Sequence, residues 1–242
     1  MNPIAVGIEA LVNAIRGLRN LLVRLSPMPA FVILEISGQL PERRLPPRGL
    51  RGWLRRRFAT PQESLEEWRG RLKVLAADSR VQGIVTKIDN LQAGLPALES
   101  LRGALETFRA SGNRLIAYLP TTTLRTYYLA SAAEVLVAPE SAELSLHGLR
   151  TESTFLRVAL DRLGILPQFH HIAEYKSAAN QFLYSTMPDP QREMVASLLD
   201  SVFDEIGAAI ALARRLPMDA VRRAVDRGIL SAAEARDCQL ID

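Results

Sequence analysis

A mostly parallel β-sheet covered by helices is the α/β fold class this sequence predicts, on two observations. From about residue 30 onward, short β-rich runs alternate with runs of helical period, the rhythm of strands joined by crossover helices. The 242 residues are 48% hydrophobic and 23% charged, an ordinary globular balance with enough apolar material for a sizeable core. That composition excludes wholesale disorder, a collagen-like chain and a membrane bundle.

The elements follow in order. Residues 4–25 read as an amphipathic helix, with Ile4, Ile8, Leu11, Ile15, Leu18, Leu22 and Leu25 spaced by three and four. Glu9, Arg16, Arg19 and Arg24 interrupt the apolar run, so it is a poor transmembrane span and lacks the order of a signal peptide. A helix in the membrane interface fits, as does one packed on a partner or on the domain body. Residues 41–58 hold Pro41, Pro46, Pro47, Gly49, Gly52, seven arginines, Trp53 and Phe58. Their prolines and glycines break regular structure. Arginine interleaved with aromatics suits a lipid headgroup layer, a nucleic-acid arm or a solvated loop.

Strands are expected at Phe31–Ile36, Gly83–Ile88, Leu115–Leu119, Val135–Val137 and Gln168–Ile172. Helices are expected at Leu65–Ala77, Leu98–Phe108, Tyr127–Ala133, Phe155–Leu163, Glu193–Leu216 and Met218–Arg227. Pro120, Pro139, Gly164 and the Ser111-Gly112-Asn113 run punctuate them. No internal repeat is evident. The domains are residues 1–29, the amphipathic helix, and 30–242, the α/β body with a basic insertion at 41–58.

Charge is unevenly spread. Residues 1–59 hold ten arginines and three acids, a net +7 in a chain whose total is +4, so the body carries −3. A basic arm of this kind points to anionic lipid or nucleic acid. The single cysteine, Cys238, permits no intrachain disulfide.

Chemistry is sparse. No Gly-rich phosphate loop and no metal-spaced Cys/His set is present; neither metal nor cofactor is expected. His147 is isolated, and His170 and His171 are adjacent on a predicted strand, so they face opposite ways. Lys73, Lys87 and Lys176 are the only lysines, against 27 arginines. Arginine keeps its proton in proteins, whereas a desolvated lysine can lose it, which makes the three lysines a short list for proton chemistry. Lys176 stands out because Ser177, Ala178 and Ala179 follow it, and small neighbours let a substrate backbone approach. A lysine base must be neutral at working pH, several units below its ordinary value of about 10.4. An exposed structural lysine is the alternative reading of the same residues.

Several blocks carry a family resemblance. Tyr127 to Glu134 (YYLASAAE) resembles the Y-Y-L-A-S-x-A-D/N block of signal peptide peptidase A, also called protease IV. Leu146-His147-Gly148-Leu149 resembles its L-H-G-F/L element, and Tyr175-Lys176-Ser177-Ala178 with Phe182-Leu183 its Y-K-S-A-V-E-P-F segment. Met187 to Glu193 (MPDPQRE) resembles its M-S-P-x-x-R-E helix start, and Gly228 to Asp242 its closing G-x-x-x-A-x-E-A-x-x-x-G-L-I/V-D. Order and spacing hold from about residue 30 to the end.

The resemblance implies a ClpP/crotonase-like fold and a serine endopeptidase with a serine–lysine dyad, cleaving remnant signal peptides. It is closest to the N-terminal copy of a tandem duplication, whose catalytic lysine maps to Lys176. The serine belongs to an S-G-x-Y-Y element in the other copy; three residues before Tyr127 this chain has Leu124. It therefore implies a serine-bearing C-terminal domain or second subunit and peptide substrates; a homo-oligomer and no nucleic acid are also expected, and the amphipathic helix and arginine arm of residues 1–58 suit a peripheral or interfacial membrane location, where the family's long form has a transmembrane anchor. Ser177 and Gly94 are candidate substrate-groove positions. As its own nucleophile Ser177 is disfavoured, because neighbours on an extended segment project to opposite faces; Gly94 also reads as a turn glycine. Ala179-Asn180-Gln181 departs from the family's V-E-P. The rival readings are a non-catalytic membrane-associated assembly module and, further off, a crotonase-type acyl-CoA enzyme.

Overall fold

A computed structural model describes residues 29–43, 63–170 and 173–242. The expected helix over 4–25 and most of the basic segment 41–58 lie outside these residues. Four parallel strands form the main sheet: β1 (Phe31–Gln39), β2 (Gly83–Gln92), β3 (Arg114–Tyr118) and β5 (Val135–Val137), in that order. Helix α1 (Leu65–Ala77) joins β1 to β2, and α2 (Leu95–Ala110) joins β2 to β3.

Side-chain alternation assigns the two faces of the sheet. Leu34 and Ile36 of β1, Ile84, Thr86 and Ile88 of β2, Leu115 and Ala117 of β3, and Leu136 of β5 are buried together. They meet Leu65, Trp68 and Leu72 of α1 and Leu98, Leu101, Leu105 and Phe108 of α2, the three-and-four spacing that marks one face of a helix. Ser64 starts α1 with a capping box: its hydroxyl accepts from the Glu67 amide at 3.3 Å, and its own amide donates to the Glu67 carboxylate at 2.8 Å. The other sheet face is more open. Ile33 is 75% exposed, and Lys87 pairs with its register neighbour Glu35 at 3.2 Å. Parallel sheets are normally covered on both faces.

A second, smaller sheet contains β4 (Thr122–Thr123), β6 (Glu143–Ser145) and β7 (Ile229–Ser231). Between β4 and β5 lies α3 (Leu124–Ala130), started by a Thr123–Thr126 capping box. Helix α4 (Arg157–Arg162) buries no side chain. A 3₁₀ turn (Ser177–Ala179) runs into α5 (Asn180–Leu183), followed by α6 (Asp189–Arg214), α7 (Met218–Arg227) and α8 (Ala232–Asp237). Gly228, at φ +77°, turns the chain from α7 into β7, and an added Cβ there would press on His147 at 3.3 Å.

Arg102 ties the helices together. Almost fully buried on α2, its guanidinium donates to the Tyr128 carbonyl, to Ser131 Oγ at 2.7 Å and to the Ala209 carbonyl at 3.5 Å. It also pairs with Glu106 at 3.0 Å and stacks over the Tyr128 ring. Arg102→Ala is expected to lower stability by about 3 kcal/mol, since it strips acceptors and packing together; chemical denaturation reads this.

The C-terminal residues close the sheet. The buried Tyr127 hydroxyl donates to the Leu240 carbonyl at 2.6 Å. Asp242 accepts from the Leu136 amide at 2.8 Å and from both terminal nitrogens of Arg214 at 3.0 and 2.9 Å. The Arg214 hydrogen bonds hold the Asp242 carboxyl below its ordinary value of 3.8. A depressed carboxyl contributes stability in full above that ordinary value and loses it as the pH falls through the lower folded value. Asp242→Asn is therefore expected to melt lower than the wild type at pH 7. The gap should close below about pH 4, as melting curves across that range will read.

The main departure from the sequence expectations is Gln168–Ile172. Residues 168–170 form no strand, and residues 171–172 lie outside the described set. No sheet edge is paired with residues 168–170. Phe169 instead stacks on Phe182 of α5, ring centres 5.5 Å apart. His171, on which the opposite-face reading of the histidine pair depends, lies outside the described residues. Helix Phe155–Leu163 is shorter than expected, and α6 begins one turn earlier, with Pro190 in its first turn where proline needs no amide partner.

Candidate active site

Lys176 sits where a turn becomes a 3₁₀ helix. Its amide donates to the Ala173 carbonyl at 3.1 Å, and it is the residue preceding Ser177–Ala179. The segment is therefore a tight turn rather than the extended stretch used above to judge Ser177. Ser177 is half-buried, with its amide donating to the Tyr175 carbonyl at 3.0 Å.

Two side chains flanking Lys176 reach the N-terminal end of α6. The Tyr175 hydroxyl donates to Glu193 Oε2 at 3.2 Å, and this bond keeps the phenol protonated above its usual range. Asn180 Nδ2 donates to Gln191 Oε1 at 2.9 Å. The backbone of α5 is also held from the other side, where the Leu156 amide donates to the Gln181 carbonyl at 2.6 Å.

The Lys176 side chain is exposed and enters no ion pair among the described residues. The desolvation a neutral amine requires is not supplied by the described residues of this chain alone. Exposed apolar side chains occur on the segments on either side of it along the chain: Leu163 is 73% exposed, Leu166 67%, and Phe169, Tyr175 and Tyr184 are exposed as well.

Gly94 caps α2 with ordinary backbone angles, φ −68° and ψ 156°, and an added Cβ would touch only Pro96 at 3.8 Å. Nothing in its geometry requires glycine, and no hydrogen bond or ion pair among the described residues joins it to the Lys176 segment. Leu124 opens α3 and is buried, 5% exposed. The neighbouring hydroxyls are committed elsewhere or sealed in. Thr121 bonds to Asp89 at 2.7 Å, Thr123 and Thr126 cap α3, and Thr122 Oγ1 is buried without a partner. Among the described residues this chain thus offers a candidate base and no activated nucleophile beside it.

The model of Peptidase family S49 matches residues 107–242, which include α3, Lys176 and the C-terminal closure. This chain belongs to peptidase family S49. Its similarity extends to a protein named "Serine protease SPPA, chloroplastic" of Arabidopsis thaliana, 30% identical over 69% of this chain and 24% of the relative. Two proteins named "Protease 4" are also similar. That of Haemophilus influenzae is 27% identical over 60% of this chain and 24% of its own length, and that of Salmonella typhi 26% over 67% and 27%. The chain spans about a quarter of the length of these curated relatives. The S49 membership bears out the family read from the Tyr127, Tyr175 and Gly228 blocks, and the parallel sheet with its helices agrees with the fold that family implies.

Asn180 and Gln191 were missed as site-building residues. The available signal was the departure from the family pattern at Ala179-Asn180-Gln181, which puts an amide at 180; nothing in the pattern marked Gln191.

Proposed function

We propose that this S49 chain supplies the general base of a serine–lysine peptidase, Lys176, and that the nucleophilic serine comes from a companion domain or second subunit. One observation carries the reading: the family match includes the lysine segment, while the position expected to hold a serine is a buried leucine, Leu124. The serine hydroxyl would give its proton to the Lys176 amine as its oxygen bonds to the peptide carbonyl carbon. The resulting ammonium would return that proton to the departing amine as the C–N bond breaks. Water, deprotonated by the same amine, then releases the acyl group from the serine.

The exposed apolar side chains on the chain segments flanking Lys176, Leu166 and Phe169 before it and Tyr184 after it, support a partner seated there. Covering Lys176 removes water from the amine, and desolvation favours the uncharged form. The open sheet face around Ile33 supports an assembled state too. Remnant signal peptides, or other apolar peptides at a membrane, are the substrates this reading assigns. Residues 1–58, basic and amphipathic by sequence, would hold the assembly at that surface. No helix among the described residues is long and apolar enough to cross a membrane.

The exposure of Lys176 favours a second reading, a non-catalytic subunit of the same assembly. A cleavage assay separates the readings. The purified chain should leave a fluorogenic apolar peptide amide intact, and joining it to a serine-bearing S49 domain should start turnover. Cleavage by the chain alone would place a nucleophile here; no turnover from the joined protein would favour the inert subunit.

A further inference from the structure

We propose that Asn180 and Gln191 are positioning residues for Lys176, a clip that fixes the lysine-bearing turn to the first turn of α6. The inference rests on the reading of Lys176 as base and adds what sets its place. The turn has little packing to hold it. Helix α4 beside it buries no side chain, the 3₁₀ turn buries only Ala179, and α5 buries only Asn180. Where apolar contacts are few, directional hydrogen bonds decide the geometry.

Asn180 is 4% exposed, one of the few buried polar residues among those described. A buried amide is costly unless bonded, so its 2.9 Å bond to Gln191 is the favoured arrangement of both side chains. Asn180 also joins the 3₁₀ turn to α5 through its backbone: its amide donates to the Ser177 carbonyl and its carbonyl accepts from the Tyr184 amide at 3.0 Å. Moving Asn180 therefore moves the turn that begins at Lys176. The Tyr175–Glu193 bond makes the second anchor. Residues 175 and 180 flank the lysine, and residues 191 and 193 lie in one turn of one helix. Of the two anchors the Asn180–Gln191 bond is the more sheltered from competing water, and the better able to set a register.

Hydrogen exchange on the full-length chain tests the clip without any partner. Asn180→Ala should speed exchange at amides 176–184 about tenfold, the size expected for one lost buried hydrogen bond. Amides of β1, β2 and β3 should keep their wild-type rates. Gln191→Ala should do the same while leaving Asn180 in place. The exchanged pair N180Q/Q191N, which keeps both amides and their combined length, should restore protection. Wild-type exchange in Asn180→Ala, or a rise spread evenly over the sheet, would overturn the clip.

The second arm uses the chain joined to a serine-bearing domain and a fluorogenic apolar peptide amide. Asn180→Ala should lower kcat about tenfold with KM held, as for an interaction felt in the transition state, and the exchanged pair should recover it. If Lys176→Ala abolishes turnover while Asn180→Ala leaves kcat unchanged, the clip fails and the base stands. If Lys176→Ala retains turnover, the base reading fails, and the exchange data alone decide whether the clip exists.

Discussion

Replacing Lys176 with alanine is expected to lower kcat of the complete assembly by about 1,000-fold or more, the scale of losing a positioned proton acceptor. Folding should be untouched, because the side chain is exposed and enters no ion pair among the described residues. Lys176→Arg sharpens the test. Arginine keeps the positive charge and most of the length but cannot give up its proton. A lysine serving only as a cation would be rescued by arginine; a lysine serving as base would not. The assay is kcat and KM for an apolar peptide amide, with circular dichroism to verify the fold. Near-wild-type turnover in either variant would remove Lys176 from the chemistry.

Gly83→Ala is expected to destabilise the domain by about 3 kcal/mol or more, from overpacking at a site with no free space. Gly83 opens β2, the strand between β1 and β3, and is in register with Phe31 on one side and Arg114 on the other. An added Cβ would lie 2.5 Å from the Arg114 carbonyl oxygen and 2.7 Å from the Phe31 ring. The carbonyl belongs to a paired strand and has nowhere to go, so the sheet must open. For a domain of this size the loss corresponds to a fall in melting temperature of about 6–12 °C. Gly207→Ala makes the contrast. Its Cβ would meet only the Met218 side chain, and a flexible thioether can turn aside. Its melting temperature should fall much less; equal losses at the two sites would contradict the packing described for β2.

The architecture was legible where periodicity was strong. Leu98, Leu101, Leu105 and Phe108 announce α2, and alternation in Gly83–Ile88 announces β2. The strands β4, β6 and β7 escaped because two or three residues carry no period and exist only through pairing between distant parts of the chain. Residues 168–170 misled for the converse reason: they suit a strand, but no edge pairs with them. Pro188 and Pro190 hid the first turn of α6 by resembling breakers, although proline is at home there.

At the site, lysine scarcity and the Y-K-S-A block marked Lys176 in the sequence. Its exposure, one of the two readings given above, was not decided by the sequence, because burial depends on tertiary packing. Nor was the Asn180–Gln191 bond, which forms only once α5 and α6 fold onto each other.

The protonation state of the Lys176 amine in the assembled peptidase tests the serine–lysine reading most directly. Lysine labelled at the ε-carbon gives one signal from each of three lysines in this chain, and Lys176→Arg identifies the one to follow through a pH titration. Joined to its serine-bearing partner, that amine should lose its proton in the neutral range, in step with the rise of cleavage activity. An amine that keeps its proton throughout the pH range of cleavage would contradict its role as base.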